Sequence, residues 1–578
     1  MKKLGYERAF IQLMVACGLA FLNHSTAQEI FLPDFGDQKN DQPNLPAPNF
    51  SSPGGFYQEP FNLVLSCAPL GASVIHTTDG TLPSRTNGTR TEVGNPVLLE
   101  IVKTTIVRAI TIEEEGKVSR SFTQTYLFPS DILNQSRPAN FPKAIDMEMD
   151  AELVQFDDVG DQIKKSFQRV PSVSLVLSHE DLFGQKGIYI NPKESGNDWE
   201  RPCSFEWIKP KSQSNRQVNC GMEIQGASSR VFSPKHGFQL SFKSKYGPKK
   251  LKGGIFSKSS VKEFDSLVMR SPTHDSWAVA SPTLRKNARY VNDAWAAETQ
   301  RLMGHLSPQH RWVHLFLNGF YWGIYAIVER PDEHFASSHS GGSDEDYDVF
   351  NANRLRSGSR DNRDRLTKLI GGSEIETPEV YQEVEKLLNV EAFIDYVLYN
   401  LYANNIDWID KNYWFVGKRS ERPQFQFVNW DAEILFWEKW EGLRNPEKKS
   451  ALDYSLLGDK RLYTDTQAMG FFLTRLSKNS EFRRQFGDRA HFHLKEGGIL
   501  SPAKAADRYQ RLLGEVEGLL DAEATRWGDA YEEEALGMDT LEWEHLTGEQ
   551  GWLFKEFFPK RSERLQQQLQ ESGLSLSK

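Results

Sequence analysis

The sequence predicts an α+β protein in which a β-rich part precedes a helix-rich part, with a small all-β unit ahead of both. Three observations carry that prediction. Short runs of branched and aromatic residues, such as "FNLVLSC", "PVLLEI" and "TIVRAITI", alternate with turn signals such as "DGTLPS" over residues 56–130. The stretch "WVHLFLNGFYWGIYAIVERPD" holds two strand patterns about Asn318–Gly319, a dipeptide suited to a tight hairpin turn. From "PEVYQEVEKLLNVEAFIDYVLYNLYAN" onward, helical spacing dominates.

Residues 1–27 carry Lys2, Lys3 and Arg8, then the apolar "AFIQLMVACGLAFL", then small residues at Ser25 and Ala27. That is the layout of a secretory signal peptide. A membrane anchor is the competing reading, but the apolar run falls short of the ~20 residues that span a bilayer. A lipoprotein signal is the third, since "MVAC" at Cys17 loosely resembles a lipobox, although apolar residues continue past the cysteine. No later stretch is apolar enough to span, so the expectation is an exported chain with no transmembrane segment after signal removal. Its place is periplasmic, cell-surface or extracellular.

Residues 28–55, rich in Pro, Asn, Asp and Gly, read as a linker, and 56–130 as a small β-sandwich. From Val170, "VPSVSLVLS", "KGIYINP" and "KHGFQLSFKSKYG" read as strands. "CSFEWIKPKSQSNRQVNC" reads as a hairpin that opposes Cys203 and Cys220. Opposed strand positions lie within about 5.5 Å. A disulfide in an oxidising compartment and a facing pair of buried thiols both satisfy that spacing. "RKNARYVNDAWAAETQRLMG" reads as a helix stopped by Gly304. "NYWFVGK" and "FQFVNW" form a strand pair inside the helical part, and 441–578 a helical extension.

Bulk properties bound the function. A chain of 578 residues exceeds one ordinary core. A formal net charge of -9 disfavours a nucleic-acid or anionic-membrane partner, either of which would want a positive field. Of the four cysteines, the three that would remain after signal removal are scattered and form no CxxC, which gives no support to a structural zinc site. There is no G-x-S-x-G and no H-E-x-x-H, and "HFH" at His491 and His493 lacks a third ligand nearby.

Chemistry gathers at "NNIDWIDKNYWFV", where Asp407 precedes Asn412 by five positions. Phosphoryl transfer needs a carboxylate to orient the attacking hydroxyl and metal ions to neutralise the phosphates. Protein kinases supply these with an Asp and an Asn at this spacing, and a second Asp on a following strand-turn. Asp431 in "FQFVNWDAE" can serve as that second Asp, because a hairpin of the two intervening strands would return it to the Asn412 side. The spacing alone arises by chance about once or twice in a chain this long, and it also describes an Asx turn capping a helix.

In order along the chain, "GMEIQGASSRVFSPKHGFQLSFKSKYG", "YVNDAW", "VHLFLNGFYWGIYAIVERPD", "DYDVFN", "NNIDWIDKNYWFV" and "NWDAE" resemble the spore-coat protein H (CotH) kinase-like family. The resemblance covers about Val170–Phe436, within a domain taken as 165–440, and extends more loosely into the tail through "EFRRQFGDR" and "EATRWGD". The β unit is similar to the small domain named after the C-terminal module of chitobiase and β-hexosaminidase. The resemblance implies an atypical two-lobed protein-kinase-like fold that binds ATP with Mg²⁺ or Mn²⁺. It implies phosphorylation of Ser or Thr in a secreted or surface protein.

Carried over by position, Asp407 is the catalytic aspartate, and Asn412 and Asp431 are metal ligands. Lys235, in "SPKHGFQL", is the candidate for gripping the nucleotide phosphates, and Glu329 for a place near the adenine at the lobe junction. Their bland alternatives are a solvated charge and a surface charge leaving a strand. The chain departs from the family at Asn292–Asp293, where Arg–Asp is common, and at Glu433, where a second Asp is common. No G-x-G-x-x-G occurs in "GMEIQGASS". Two other functions stay open. One is a non-catalytic surface or adhesion protein that keeps the kinase-like shape and contacts carbohydrate or protein through the β unit. The other is a secreted carbohydrate-active hydrolase working through a carboxylate pair.

Overall fold

The computed structural model describes residues 45–67, 71–114, 116–138, 141–143, 145–210, 215–438, 449–459, 462, 469–530 and 551–574. The signal-peptide and Cys17 expectations, with residues 28–44 of the expected linker, lie outside the described residues. The β unit is built from a three-stranded and a five-stranded sheet. Leu63, Leu65, Val74, Val107 and Tyr126 form its core. Part of the expected linker belongs to these sheets. Asn49–Phe50 pairs with Leu65–Ser66, and Gly55–Phe56 with Tyr126–Leu127. The reason is aromatic anchoring: Phe50 packs on Phe122 and Phe56 stacks on Phe167, with ring centroids 5.3 and 5.1 Å apart. Polar contacts tie the unit to the chain beyond it. Thr125 donates from its N–H and its hydroxyl to Glu206, and Asn219 Nδ2 donates to Ser121 O.

Seven strands then close a barrel: β1 (Ser172–Val176), β2 (Arg201–Ile208), β3 (Arg216–Gln225), β4 (Gly237–Ser241), β5 (Ser266–Arg270), β6 (His310–Leu317) and β7 (Phe320–Glu329). Their order is β2-β3-β4-β5-β7-β6-β1. Closure comes from the parallel pairing of β6 with β1. Leu175, Phe205, Met222, Phe238 and Ile327 share the core associated with the barrel. Cys203 stands opposite Cys220, and both are free, buried thiols. Asn318 and Gly319 turn between β6 and β7 with φ of 49° and 81°, the left-handed pair that a two-residue hairpin favours.

Helix α1 (Asn292–Leu302) starts later than its sequence pattern implies. Tyr290 adopts φ 68°, and the Asp275 carboxylate accepts from the N–H groups of Arg289 and Asn292 at 2.7 and 3.0 Å. A side chain from outside the helix thus satisfies one donor that the first turn leaves open, that of Asn292, and holds Arg289 ahead of the turn.

Beyond the barrel, β8 (Tyr347–Asn351), β9 (Arg354–Ser357), β10 (Tyr413–Lys418) and β11 (Gln426–Asn429) form a sheet in the order β9-β8-β10-β11. Helix α2 (Val390–Ala403) is apolar on nearly every face and buried along nearly its whole length, as a central core helix must be. Helices α3 (Ser480–Leu494), α4 (Pro502–Val516), α5 (Leu520–Trp527) and α6 (Phe558–Glu571) come after it. His493 of "HFH" lies 3.2 Å from Asp395, which also binds Arg489 and His305, so it ties α3 to α2. Helix α5 returns to the barrel. Ile324 N donates to Glu523 Oε2 at 2.7 Å, and Trp527 Nε1 donates to Trp322 O at 2.8 Å. No helix among the described residues is long and apolar enough to cross a membrane.

Candidate active site

Strand register brings Asn412 and Asp431 together. β10 and β11 run antiparallel with Tyr413 opposite Asn429, so Asn412 and Trp430 come next beyond the last pair, with Asp431 one residue further on. Asn412 and Asp431 leave their strands with φ of 62° and 59°, a conformation that Asn and Asp tolerate better than most residues. Asp407 arrives from the other direction, just past α2, which is capped by Asn404, left-handed at φ 52°. Asn412 Nδ2 donates to the Asp407 backbone O and to its Oδ2, each at 2.9 Å. Lys411 Nζ is 3.1 Å from Asp407 Oδ1. The Asn412 amide and the Lys411 ammonium thus fix the Asp407 carboxylate.

Asp407, Asn412 and Asp431 line a cleft of about 200 Å³ together with Glu433. Gly226, Ser228, Gly237, Arg270 and His274 line it from the barrel side. Gln225, the last residue of β3, pairs with Gly237 of β4, and the loop between them begins at Gly226 with φ 118°. A small-residue loop therefore borders the cleft without a G-x-G-x-x-G sequence.

Lys411 and Arg270 both bring positive charge to the cleft, and the buried one is Arg270, at the end of β5. One of its terminal nitrogens lies 2.5 Å from Asp431 Oδ1 and 2.5 Å from Glu433 Oε1. Its Nε is 3.5 Å from Asp293 Oδ2, and its guanidinium sits 4.9 Å from the centre of the Trp430 ring. Asp293, in the first turn of α1, is itself held. Its Oδ1 accepts from Asn429 Nδ2 and Ala432 N, each at 2.9 Å, and His310 Nε2 lies 3.0 Å from Oδ2. Burial alone would raise the Asp293 carboxyl, but Arg270 and His310 outweigh it and hold it well below the usual carboxylate range. Burial likewise works against the Arg270 charge, and Asp431, Asp293 and Glu433 together keep it above the ordinary guanidinium value. The cleft thus keeps an ionised carboxylate and a cation side by side.

The other two candidates, Lys235 and Glu329, are outside the cleft lining. The ammonium of Lys235 is fully buried, binds Glu523 and Ile324 O, and sits 4.9 Å from the Tyr325 ring centre. A buried charge must be paired, and this one is committed there; Lys235 is not part of the cleft lining. Glu329 is also buried. It accepts from Gln309 N at 3.0 Å and contacts His339 Nε2 at 3.0 Å, opposite Leu267 and three residues along β5 from Arg270.

Sequence reasoning missed Arg270, whose only local signal is an arginine ending the apolar run "SLVMR". Asn292 bridges the fold: its Nδ2 donates to Glu433 O and its Oδ1 accepts from Tyr509 OH, each at 2.9 Å. Glu433 is engaged by Arg270 and by His274 N, which donates to its Oε2 at 2.8 Å.

Among curated proteins, none matches the chain. A family model described as CotH kinase protein matches residues 222–545, more than half of the 578-residue chain. The match begins in β3 and includes Arg270, Asp293, Asp407, Asn412 and Asp431, while the small β unit lies outside it. The chain therefore belongs to the CotH kinase protein family.

Proposed function

We propose that the protein is an exported atypical kinase that uses ATP and a divalent cation, Mg²⁺ or Mn²⁺, to phosphorylate Ser or Thr of a secreted or surface protein. The observation that supports this most is the convergence of Asp407, Asn412, Asp431 and Arg270 on one cleft. The donor set fits a hard cation, because it offers carboxylate and carboxamide oxygens. The Asp431 side chain is 42% exposed, and Arg270 engages only its Oδ1 among the described residues. Asp431 and Asn412 would hold the ion, which when bound neutralises phosphate charge.

The chain's own residues supply the other parts. Asp407 accepts the proton of the substrate hydroxyl as that oxygen bonds to the γ-phosphorus, and the bond from phosphorus to the ADP oxygen breaks. Lys411 and Asn412 keep Asp407 in position. Arg270 offers N–H donors to phosphate oxygens, oriented by Asp293. A strand cation paired with a helix carboxylate is the arrangement protein kinases build from Lys and Glu. Here a longer cation meets a shorter acid.

The test is incubation of the mature protein with γ-labelled ATP and Mg²⁺ or Mn²⁺, beside Asp407→Ala and Asp431→Asn. Label should enter the protein substrate, or the kinase itself, and fall about 10²–10⁴-fold in Asp407→Ala. Equal label in wild type and variant, or none with either metal, sinks the proposal. The hold of Arg270 on both Asp431 and Glu433 favours a second reading, a non-catalytic surface protein of the same family. In that case ATP with Mg²⁺ leaves the unfolding temperature unmoved.

A further inference from the structure

A second cavity, of about 870 Å³, lies between α1, the start of β6, α4 and the segments 168–171 and 256–258. Phe256, Trp312 and Leu512 give it an apolar wall, and Arg169, Lys258, Arg301, Arg311 and Arg511 bring five cations to it. Only two carboxylates line it, Glu298 and Glu515, and Arg511 engages both. The other four cations have no carboxylate within ion-pair distance among the described residues. Arg301 donates to Pro308 O. Arg311 donates to Ile255 O at 2.6 Å and lies over the Trp207 ring. The chain as a whole is acidic, yet this concave wall carries more cations than carboxylates, an arrangement that attracts an anion.

We propose that this cavity binds a small, multiply charged oxyanion of the oligophosphate class, at a site separate from the Asp407 cleft. Guanidinium forks match the paired oxygens of phosphate groups, and three arginines and one lysine here have no carboxylate within ion-pair distance among the described residues. The volume falls within the ~300–1,000 Å³ of small-ligand sites, too small for a folded partner. The position is also informative. His310 lines the cavity and contacts Asp293, which in turn positions Arg270. An occupant is therefore two side chains, His310 and Asp293, away from Arg270.

The test reads binding without turnover, so it is independent of the kinase proposal. Tripolyphosphate is titrated calorimetrically into the full chain in the presence of EDTA. The same titration is run on Arg169→Gln/Lys258→Gln, two exposed positions that leave the core intact, and on Lys411→Ala at the cleft. The expected result is saturable binding by wild type, about tenfold or more weaker in the double variant and unchanged in Lys411→Ala. Absence of saturable binding overturns the proposal. So does any pattern in which the double variant keeps its affinity or Lys411→Ala loses it.

Discussion

Lys235 and Glu523 form an ion pair with no solvent contact on either side chain, and that setting defines what each residue does. Glu523 also receives Ile324 N and the Tyr290 hydroxyl, so its carboxylate is the hub of a buried network. Removing one partner of such a pair strands the other and costs about 3–5 kcal/mol. Lys235→Ala should therefore lower the unfolding free energy by that order, read as a lower denaturant midpoint, while leaving Arg270 and Asp431 in place. A lysine that gripped nucleotide phosphates would behave the opposite way, with an unmoved midpoint and weakened ATP binding. Arg270 is the contrasting residue. Its charge is also removed from water, but the carboxylates around it line the cleft or lie directly behind it.

β7 is shaped by the helix that lies against it. Gly323 has φ 102°, and a Cβ there would stand 2.6 Å from Glu523 Oε2 and 2.8 Å from Trp527 Nε1. The pairing of β6 with β7 shifts register beside it, between Leu315 and Phe316. The strand gives up a side chain so that α5 can dock. Gly323→Ala should destabilise by about 1–3 kcal/mol from the strained backbone and a comparable amount from crowding. Gly254→Ala, with nothing within 4 Å of the added carbon, should stay within about 0.5 kcal/mol of wild type. Urea midpoints of the two variants check this, and similar midpoints would refute the docking account. The β10–β11 hairpin is the element whose register mattered most for the cleft. Its strands are strongly patterned and joined by a short connection, so the return of Asp431 toward Asn412 was legible in the sequence.

At the scale of the molecule, Glu206 links the small β unit to the barrel through Thr125. Burial pushes its carboxyl up to about 7 against the donors around it. The folded protein then keeps a proton that the unfolded chain releases above about pH 4.3. That contribution is fully present below about pH 4.3 and is lost as pH rises through about 7. Glu206→Gln is neutral throughout, so its urea midpoint should gain on wild type between pH 5 and pH 8. A gap that stays constant over that range would refute the assignment.

Local pattern by itself determined the α+β order, the Cys203–Cys220 and Asn318–Gly319 hairpins, and the Asp407, Asn412 and Asp431 motif with its family likeness. These depend on period and turn chemistry over a few residues, which the sequence states directly. Tertiary structure alone decided that Arg270 rather than Lys235 is the buried cation bordering the cleft, that Glu329 turns to Gln309 and His339, and that α1 waits for Asn292. Whether a charge is buried, and what neutralises it, depends on groups that arrive from far along the chain. Glu523 meets Lys235 across 288 residues, a distance that no local pattern can span.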